Sequence, residues 1–306
     1  MNSTPVTSRY RRNMYLNLAG GVAACVVAVM SLTACGADDK PTADAAPVTT
    51  TPTPTPTTIA RPSADVDELV ATGNGRLHVR CHGSGDSTVL LLSGFEGDGN
   101  GWGEVEPALA ERSRVCAYDR FGTGTSDAPA TIQSFGTQAD DLHAALTKLG
   151  ESGPYVVVGH SFGGAEAVEF TSRNASEVAG LVLLDASPTT WRDTVCEVPA
   201  YAPLCTQLSD PNMNKERLDA NPAFAEVSKI ESLGSLPMTV ITADQRETTG
   251  LPASDVTRLN NAWNEGQQAW AALSTAAKVV TLDNTSHYIQ LDRPADVIRE
   301  ISGLLP

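Results

Sequence analysis

The sequence predicts a protein of the α/β class, built on a doubly wound, mostly parallel sheet. Short apolar segments alternate with segments of helical spacing from about residue 65 onward, as expected when helices cover both faces of a parallel sheet. Several apolar segments are continuous, for example residues 88–92, Thr-Val-Leu-Leu-Leu, which is typical of strands buried on both faces. Another, residues 155–158, runs into Gly-His-Ser-Phe-Gly and then into a helix-like stretch. With 306 residues, the chain is long enough for one such domain plus extensions.

The predicted strands and helices alternate along the chain. Strands are predicted over residues 75–81, 88–92, 114–118, 155–158, 180–184, 238–242 and 278–282. Helices are predicted over residues 107–112 and 137–149, from Gly164 onward, and over residues 294–304. The first strand alternates polar and apolar side chains, whereas several later ones are continuous apolar runs. The helix over residues 137–149 has apolar side chains at helical spacing and ends at Gly150.

Residues 185–237 form a long connection without a strand signal. They contain several prolines and two short helical stretches, near Lys215 and Ala223. Connections of this length inside a compact domain are usually functional. Cys196 and Cys205 within it favour a segment with a fixed structure over a flexible surface insertion.

The folded domain is predicted to cover residues 64–306. Residues 1–34 have the layout of a secretory signal, with arginines near the start and an apolar stretch after them. The closing Leu-Thr-Ala-Cys resembles a bacterial lipobox, which implies lipidation of Cys35 and an exported protein anchored at the outer face of the cell membrane. The alternative is an ordinary secretory signal that ends near a cysteine. Residues 35–63 are rich in threonine and proline and are predicted to be an extended tether.

The charge of the chain disfavours one class of partner. Removal of residues 1–34 takes away three arginines and no acidic residue, which leaves 18 basic and 36 acidic residues and a formal charge of −18. Such a charge argues against nucleic acid or anionic lipid as a partner of the folded domain. The only predicted membrane contact is therefore the lipid anchor.

The remaining cysteines are Cys81, Cys116, Cys196 and Cys205. Disulfides persist in exported proteins, and four cysteines allow three pairings. A zinc site is the rival interpretation, but the chain has no C-x-x-C pair and no histidine at ligand spacing. Disulfides are therefore favoured.

Residues 159–163, Gly-His-Ser-Phe-Gly, match the G-x-S-x-G pattern between a strand and a helix. In this context the turn is sharp and strained, and the two glycines avoid a collision across it. The serine hydroxyl is then held above the sheet at the positive end of a helix, where developing negative charge is favoured. Ser161 is therefore predicted to be a nucleophile. The alternative is a tight turn with a buried serine.

The chain resembles the α/β-hydrolases of the serine esterase type over about residues 70–306. Residues 118–126, Tyr-Asp-Arg-Phe-Gly-Thr-Gly-Thr-Ser, are similar to the family's Y-D-R-x-G-x-G-x-S segment. Gly94 followed by Trp102 resembles the loop after the third strand, and residues 286–294 resemble the closing block G-H-x-x-x-x-x-x-P. The resemblance implies a sheet of the α/β-hydrolase type with a helical cap over about residues 186–237.

Three positions depart from the family pattern. Ser286 and Ser93 stand where the family usually has glycine and histidine, respectively. The strand over residues 238–242 continues with Ala-Asp-Gln in place of a glycine followed by a spaced aspartate, so the position of the triad acid stays open. Asp185 follows the strand over residues 180–184 and is favoured, because some members place the acid after this earlier strand. Asp244 is the alternative.

A serine nucleophile needs a base that accepts its proton. His287 is the one histidine that follows Ser161 in the chain, in a loop before the final helix, which matches the order Ser, Asp, His. His287 is therefore predicted to be the general base. The others are interpreted as structural or solvent-facing, with His160 pointing away from the base; they are His78, His82, His143 and His160.

Two backbone amides are predicted to form the oxyanion hole. They belong to Phe162, the residue after the nucleophile, and to Phe95, just past Gly94. The Phe95 side chain is also a candidate wall of the acyl pocket. Further candidates for pocket walls are the four tryptophans Trp102, Trp191, Trp263 and Trp270.

The predicted function is hydrolysis of a carboxylic ester, or a related acyl bond, through an acyl-serine. No metal or organic cofactor is expected, and the predicted partner is a small-molecule ester. Epoxide hydrolases and haloalkane dehalogenases share the fold but use an aspartate nucleophile, so Ser161 argues against them. The alternatives are a non-catalytic cell-surface binding lipoprotein on the same fold and a cofactor-free haloperoxidase-like activity of the same triad.

The resemblance also bears on the cysteines. It implies that the second and fourth strands are neighbours, and Cys81 and Cys116 fall on these two strands. A Cys81–Cys116 disulfide is therefore expected. The remaining pair, Cys196–Cys205, is then expected to pin the cap.

Overall fold

The structure, a computed structural model, describes residues 64–246, 248 and 250–306. The predicted signal peptide over residues 1–34, the lipidation site Cys35 and the tether over residues 35–63 lie outside the described residues. These three assignments stay predictions.

The centre of the fold is one eight-stranded sheet. Its strands are β1 (Val66–Ala71), β2 (Arg76–His82), β3 (Thr88–Leu92), β4 (Arg114–Asp119), β5 (Tyr155–His160), β6 (Val178–Leu184), β7 (Met238–Ala243) and β8 (Ala277–Leu282). They lie in the order β1-β2-β4-β3-β5-β6-β7-β8. β2 is antiparallel to β1 and β4, and the other neighbours are parallel. The predicted α/β class with a mostly parallel sheet is confirmed.

Strands β2 to β8 correspond to the seven predicted strands, with ends that differ by a few residues. β1 has no sequence signal of its own, because Val70 is the one buried side chain among its six residues. An edge strand that is mostly exposed needs no continuous apolar run. Its hydrogen bonds to β2, rather than its composition, make it part of the sheet.

The helices in the described ranges are α1 (Val105–Ala110), α2 (Phe135–Leu149), α3 (Phe162–Arg173), α4 (Trp191–Val195), α5 (Ala202–Ser209), α6 (Ala220–Val227), α7 (Ala253–Ala271), α8 (Ile289–Asp292) and α9 (Pro294–Ser302). The predicted helices over residues 107–112, 137–149 and 294–304 correspond to α1, α2 and α9. The stretch near Ala223 is α6, and α3 follows the turn after β5. α7 has only four buried residues out of 19, so its apolar spacing is too sparse to recognise in the sequence.

The helical stretch predicted near Lys215 is wrong, because that residue lies in a run of turns. The neighbouring Asn214 explains the difference. Its side-chain amide donates to the carbonyl oxygens of Gln207, Asp210 and Leu218, and its Oδ1 accepts from Leu218 N. A side chain that bonds the backbone in this way competes with helix formation.

The sheet separates two apolar cores, as the side chains of β3 show. Leu90 and Leu92 contribute to the core on the side of α2 and α3, whereas Val89 and Leu91 contribute to the core on the side of α1 and α9. Successive side chains of a strand point to opposite faces. A strand covered on both faces must therefore be apolar throughout, which is why β3 is recognisable from sequence.

Both disulfides of the expected pairing are present. Cys81 on β2 lies opposite Cys116 on β4 in the antiparallel register. Cys196–Cys205 connects the end of α4 to α5 within residues 186–237, which we call the cap segment. The first disulfide uses both sulfurs of the one cluster of candidate metal ligands found in the described residues, Cys81, Cys116 and Glu151. Over the same residues, no helix combines the length and apolar character that crossing a membrane requires.

Candidate active site

Ser161 lies in the sharp turn between β5 and α3. Its backbone angles, φ 55° and ψ −121°, are outside the regions that a residue with a side chain prefers. A Cβ on Gly159 would lie 2.2 Å from Gly163 O, and one on Gly163 would lie 2.3 Å from Leu92 O. Only glycine fits at these two positions, so the turn that carries Ser161 depends on both.

His287, in the loop between β8 and α8, contacts an aspartate. Its Nδ1–H donates to Asp185 Oδ2 over 2.8 Å. Asp185 directly follows β6, has a φ of 41° and is fully buried. Because the carboxylate holds Nδ1, Nε2 is the imidazole nitrogen left to exchange a proton with a substrate or a nucleophile.

Asp244, the alternative acid, bonds the loop rather than the imidazole. Its Oδ1 accepts from Thr285 N over 2.9 Å, and Gln245 N donates to Thr285 O over 2.9 Å. These bonds attach the end of β7 to the loop that carries His287. Within the described residues, Asp185 is the carboxylate that contacts the imidazole.

Arg246 belongs to the site although nothing in the sequence singles it out. Its Nη2 donates to Asp185 Oδ1 over 2.7 Å and its Nε to Oδ2 over 3.1 Å. Burial by itself would raise the pKa of Asp185, but the hydrogen bonds and charges of His287 and then of Arg246 hold it below its usual value. The guanidinium also lies 5.4 Å from the ring centre of Trp263. Arg246 follows β7 in a loop, and only the fold brings it to Asp185.

The prediction that His160 points away from the base is wrong, whereas its interpretation as a structural residue agrees with its position. It is buried, its ring centre lies 4.7 Å from that of His287, and its Nε2–H donates to His287 O over 2.8 Å. Burial first, and then the charge of His287, lower the pKa of His160 to about 3. His160 is therefore neutral and supports the loop that carries His287. His160 is the first variable residue of the G-x-S-x-G motif, which predicts the sharp turn but not this contact.

The hydroxyl of Ser161 bonds to a second serine. Ser161 Oγ lies 3.3 Å from Ser187 Oγ, and among the described residues no hydrogen bond joins it to His287. Ser161 and His287 nevertheless line the same cavity of about 370 Å³. Catalytic hydrogen bonds in free enzymes are often long and tighten only when substrate binds.

The two amides predicted to form the oxyanion hole belong to Phe95, in the loop after β3, and to Phe162, the first residue of α3. In the described part of the chain, neither N–H donates to a protein acceptor. A Cβ on Gly94 would lie 3.2 Å from Ser161 Cβ, so the loop after β3 passes close to the turn after β5. The rings of Phe95 and Phe162 pack with centres 5.4 Å apart. Two unpaired amides beside a serine can stabilise an oxyanion.

Arg120 fixes the loop after β3 through two hydrogen bonds. Its Nη1 donates to Ser93 O over 2.6 Å and its Nη2 to Gly94 O over 2.5 Å. Glu216 of the cap segment accepts from Arg120 Nε over 2.8 Å and from Glu96 N over 2.5 Å. Ser93, which replaces the usual histidine, donates its hydroxyl to a carbonyl within the same loop over 2.7 Å. The loop is thus fixed by Arg120 and Glu216, two buried residues.

Glu166 completes this buried network. It accepts from Arg120 Nη1 over 3.2 Å and from the hydroxyl of Tyr118. Burial raises the pKa of Glu166 to about 7, although the charge of Arg120 opposes the shift. Glu166 lies on α3, five residues after Ser161, and therefore connects the turn to the loop after β3 through Arg120.

A second cavity, of about 230 Å³, adjoins His287 under the cap segment. Of the four tryptophans predicted as pocket walls, Trp102 lines the cavity that contains Ser161 and Trp263 lines the second one. Trp191 and Trp270 are buried in the apolar core. Phe95 lines the cavity with Ser161.

The sequence is similar to those of known hydrolases over part of its length. The family model described as alpha/beta hydrolase fold matches residues 87–203. Lipase LipV of Mycobacterium tuberculosis (strain ATCC 25618 / H37Rv) is 41% identical over 112 residues, 36% of this chain and 41% of the lipase. The soluble epoxide hydrolase of Corynebacterium sp. (strain C12) is 36% identical over 127 residues, 41% of this chain and 44% of that protein. The matched stretches span less than half of the length of these relatives.

A solved structure extends the likeness over most of the described chain. Est816, an N-acyl homoserine lactone degrading enzyme, superposes with a TM-score of 0.59 at 19% identity. The superposition covers 78% of this chain and 100% of that one. At this identity the likeness concerns the fold alone.

Proposed function

We propose that this chain, which has the α/β-hydrolase fold, is a serine hydrolase that cleaves carboxylic esters through an acyl-serine intermediate. The observation that carries the proposal is the hydrogen bond from His287 to Asp185 at the wall of the cavity that also contains Ser161. The soluble epoxide hydrolase among the relatives raises a second chemistry, the opening of an epoxide. A serine at the turn after β5 favours acyl transfer, because serine with a histidine base is the usual pair for that reaction.

Acylation would begin with attack of Ser161 Oγ on the ester carbonyl carbon. His287 Nε2 accepts the hydroxyl proton as the new carbon–oxygen bond forms, and Asp185 stabilises the imidazolium that results. The carbonyl oxygen becomes an oxyanion and accepts hydrogen bonds from the amides of Phe95 and Phe162. Collapse of the tetrahedral intermediate breaks the bond to the alcohol oxygen, which takes the proton from His287 Nε2.

Deacylation would repeat these steps with water as the nucleophile. His287 Nε2 accepts a proton from water, whose oxygen attacks the acyl carbon held in the same oxyanion site. The acid is released when the bond to Ser161 Oγ breaks, and the serine regains its proton from His287. No metal ion or organic cofactor takes part in this proposed cycle.

A fluorophosphonate probe separates this function from that of a non-catalytic binding lipoprotein. We expect the probe to label wild-type protein at Ser161 and to leave Ser161→Ala unlabelled, because phosphonylation requires an activated serine. Ser187→Ala is the matched control, since it removes the neighbouring hydroxyl and keeps Ser161. An unlabelled wild type that also turns over no ester would favour the binding lipoprotein.

We further propose that the protein is exported and anchored at the outer face of the cell membrane through a lipidated Cys35. The Leu-Thr-Ala-Cys sequence over residues 32–35 supports this location, and two disulfides are compatible with it. In the native host, Cys35→Ala should release the protein from the membrane fraction or block its processing. Normal processing and anchoring of that variant would contradict the lipid anchor.

A further inference from the structure

The second cavity, next to His287, is lined mainly by apolar side chains. Its volume is about 230 Å³, and we call it the cap cavity. His287 is the one described residue that lines both the cap cavity and the cavity containing Ser161. The side chains that give the cap cavity its apolar character are Val195, Tyr201, Leu204, Leu259 and Trp263.

The cap disulfide builds one wall of this cavity. Val195 directly precedes Cys196, and Leu204 directly precedes Cys205, so the disulfide fixes both apolar side chains to the same wall. The Cα atoms of the two cysteines are 5.6 Å apart. Leu204 is 38% exposed, which leaves apolar surface that a ligand would cover.

Further lining residues belong to α7. Leu259 and Trp263 are four residues apart on this helix, a spacing that places both on one face. The disulfide-linked segment and α7 therefore both contribute apolar side chains to the lining. Neither of the two contains a residue of the predicted oxyanion site.

Among the described residues that line the cap cavity, the charge of Arg246 is already compensated. Arg246 lines it, but the guanidinium donates to Asp185 Oδ1 over 2.7 Å and to Asn264 Oδ1 over 3.3 Å. An ionised ligand group would therefore meet no free charge of opposite sign on Arg246. An uncharged hydrocarbon group fits these walls, since its burial is favourable without any polar partner.

The position of the cap cavity indicates which part of an ester it would take. His287 must donate its proton to the alcohol oxygen when the tetrahedral intermediate collapses, so that oxygen must lie at the imidazole. The cap cavity adjoins His287, whereas Ser161, Gly94 and Phe95 line the other cavity. The group attached to the alcohol oxygen thus points to the cap cavity, and the acyl part to the cavity of about 370 Å³.

We propose that the cap cavity binds the alcohol portion of the substrate, and that this portion is an uncharged hydrocarbon group of about six carbons. An apolar cavity of about 150 Å³ takes up benzene, and the cap cavity is larger, at about 230 Å³. The inference rests on the proposed ester hydrolysis and adds a preference for the alcohol portion of the ester. Leu204 and the Cys196–Cys205 disulfide set the length of alcohol that fits.

The test is a series of acetate esters in which only the alcohol changes: methyl, butyl, hexyl and decyl acetate. We expect kcat/KM to rise about two- to fourfold for each added methylene up to hexyl and then to level off or fall. Leu204→Trp fills the cavity, so the ratio of kcat/KM for hexyl to methyl acetate should fall about tenfold. Leu204→Ala enlarges it and should move the optimum to longer alcohols.

Two controls separate cavity size from general damage. Ile132→Trp makes a similar change at an apolar residue that is 54% exposed and does not line either cavity, and it should leave the hexyl-to-methyl ratio unchanged. The double variant Cys196→Ser, Cys205→Ser should lower the hexyl-to-methyl ratio, because the disulfide no longer fixes Val195 and Leu204 in the wall of the cavity. A series of p-nitrophenyl esters with lengthening acyl chains should keep the wild-type order in Leu204→Trp.

The outcomes distinguish this inference from the function on which it rests. A flat alcohol series with active enzyme, or an effect of Leu204→Trp on the acyl series instead, would overturn the cap cavity as the alcohol site. Ester hydrolysis and its dependence on Ser161 would then still stand. Absence of any ester turnover, including that of p-nitrophenyl acetate, would overturn the proposed function itself.

Discussion

Asp185 and His287, 102 residues apart in sequence, are joined by a hydrogen bond of 2.8 Å from Nδ1 to Oδ2. The acid that orients the imidazole thus follows β6, while Asp244 after β7 bonds the backbone of the loop that holds His287. The two aspartates therefore differ in what they contact, and their substitution should have different consequences for catalysis.

Asp185→Asn is expected to lower kcat for p-nitrophenyl acetate by about three to four orders of magnitude, because the amide favours the wrong imidazole tautomer. Asp244→Asn keeps an oxygen acceptor for Thr285 N and should lower kcat by less than about tenfold. Steady-state kinetics of both variants, with thermal melts to verify folding, make the comparison. A collapse of kcat in Asp244→Asn alone would move the acid to the later strand.

Arg246 is expected to influence the pH dependence of the reaction. Removal of its positive charge in Arg246→Met makes it easier to add a proton to the neighbouring Asp185–His287 pair. The acidic limb of the kcat/KM profile should therefore move to higher pH. Arg258→Met, on α7, removes a charge that is paired with Glu197 and Asp255 instead, and its profile should match the wild type. Superimposable profiles of all three proteins would exclude an effect of Arg246 on the pair.

The sequence predicts the sheet well because most strands are covered on both faces and must be apolar throughout. It predicts Ser161 and His287 because each belongs to a local motif with a steric or positional requirement. Arg246 and Glu216 belong to no such motif, and His160 occupies a variable position of its motif. Each reaches the site through a contact between distant segments, as when Glu216 bonds Glu96 N across 120 residues. Such contacts depend on the packing of whole elements and leave no local periodicity.

Glu216 should act on kcat through the loop after β3. Glu216→Gln weakens the contacts to Arg120 and to Glu96 N that fix the predicted oxyanion donor, so kcat should fall about ten- to a hundredfold while KM changes little. Glu226→Gln, on α6 of the same cap segment, alters an exposed ion pair with Arg173 and serves as the control. Equal kinetics of both variants, or a change confined to KM, would remove Glu216 from the positioning of this loop.

Glu166 should make stability depend on pH. Burial raises its pKa from 4.5 to about 7, and a raised folded-state pKa means that stability is lost as pH rises through this interval. Glu166→Gln removes the ionisable group. The free energy of unfolding of this variant, relative to that of the wild type, should therefore rise by a few kcal/mol between about pH 5 and about pH 8. Urea unfolding at both pH values measures the difference, with Glu111→Gln, an exposed glutamate, as the control. A difference that does not change with pH would contradict the buried titration.

The central claim is that Ser161 forms the covalent intermediate. Rapid acid quenching during turnover of p-nitrophenyl acetate, followed by peptide mass spectrometry, detects it directly. We expect one acetyl group on the peptide that contains Ser161, a burst of p-nitrophenol of about one equivalent, and neither signal in Ser161→Ala. An acetyl group on another residue, or ester turnover by Ser161→Ala at the wild-type rate, would contradict the mechanism.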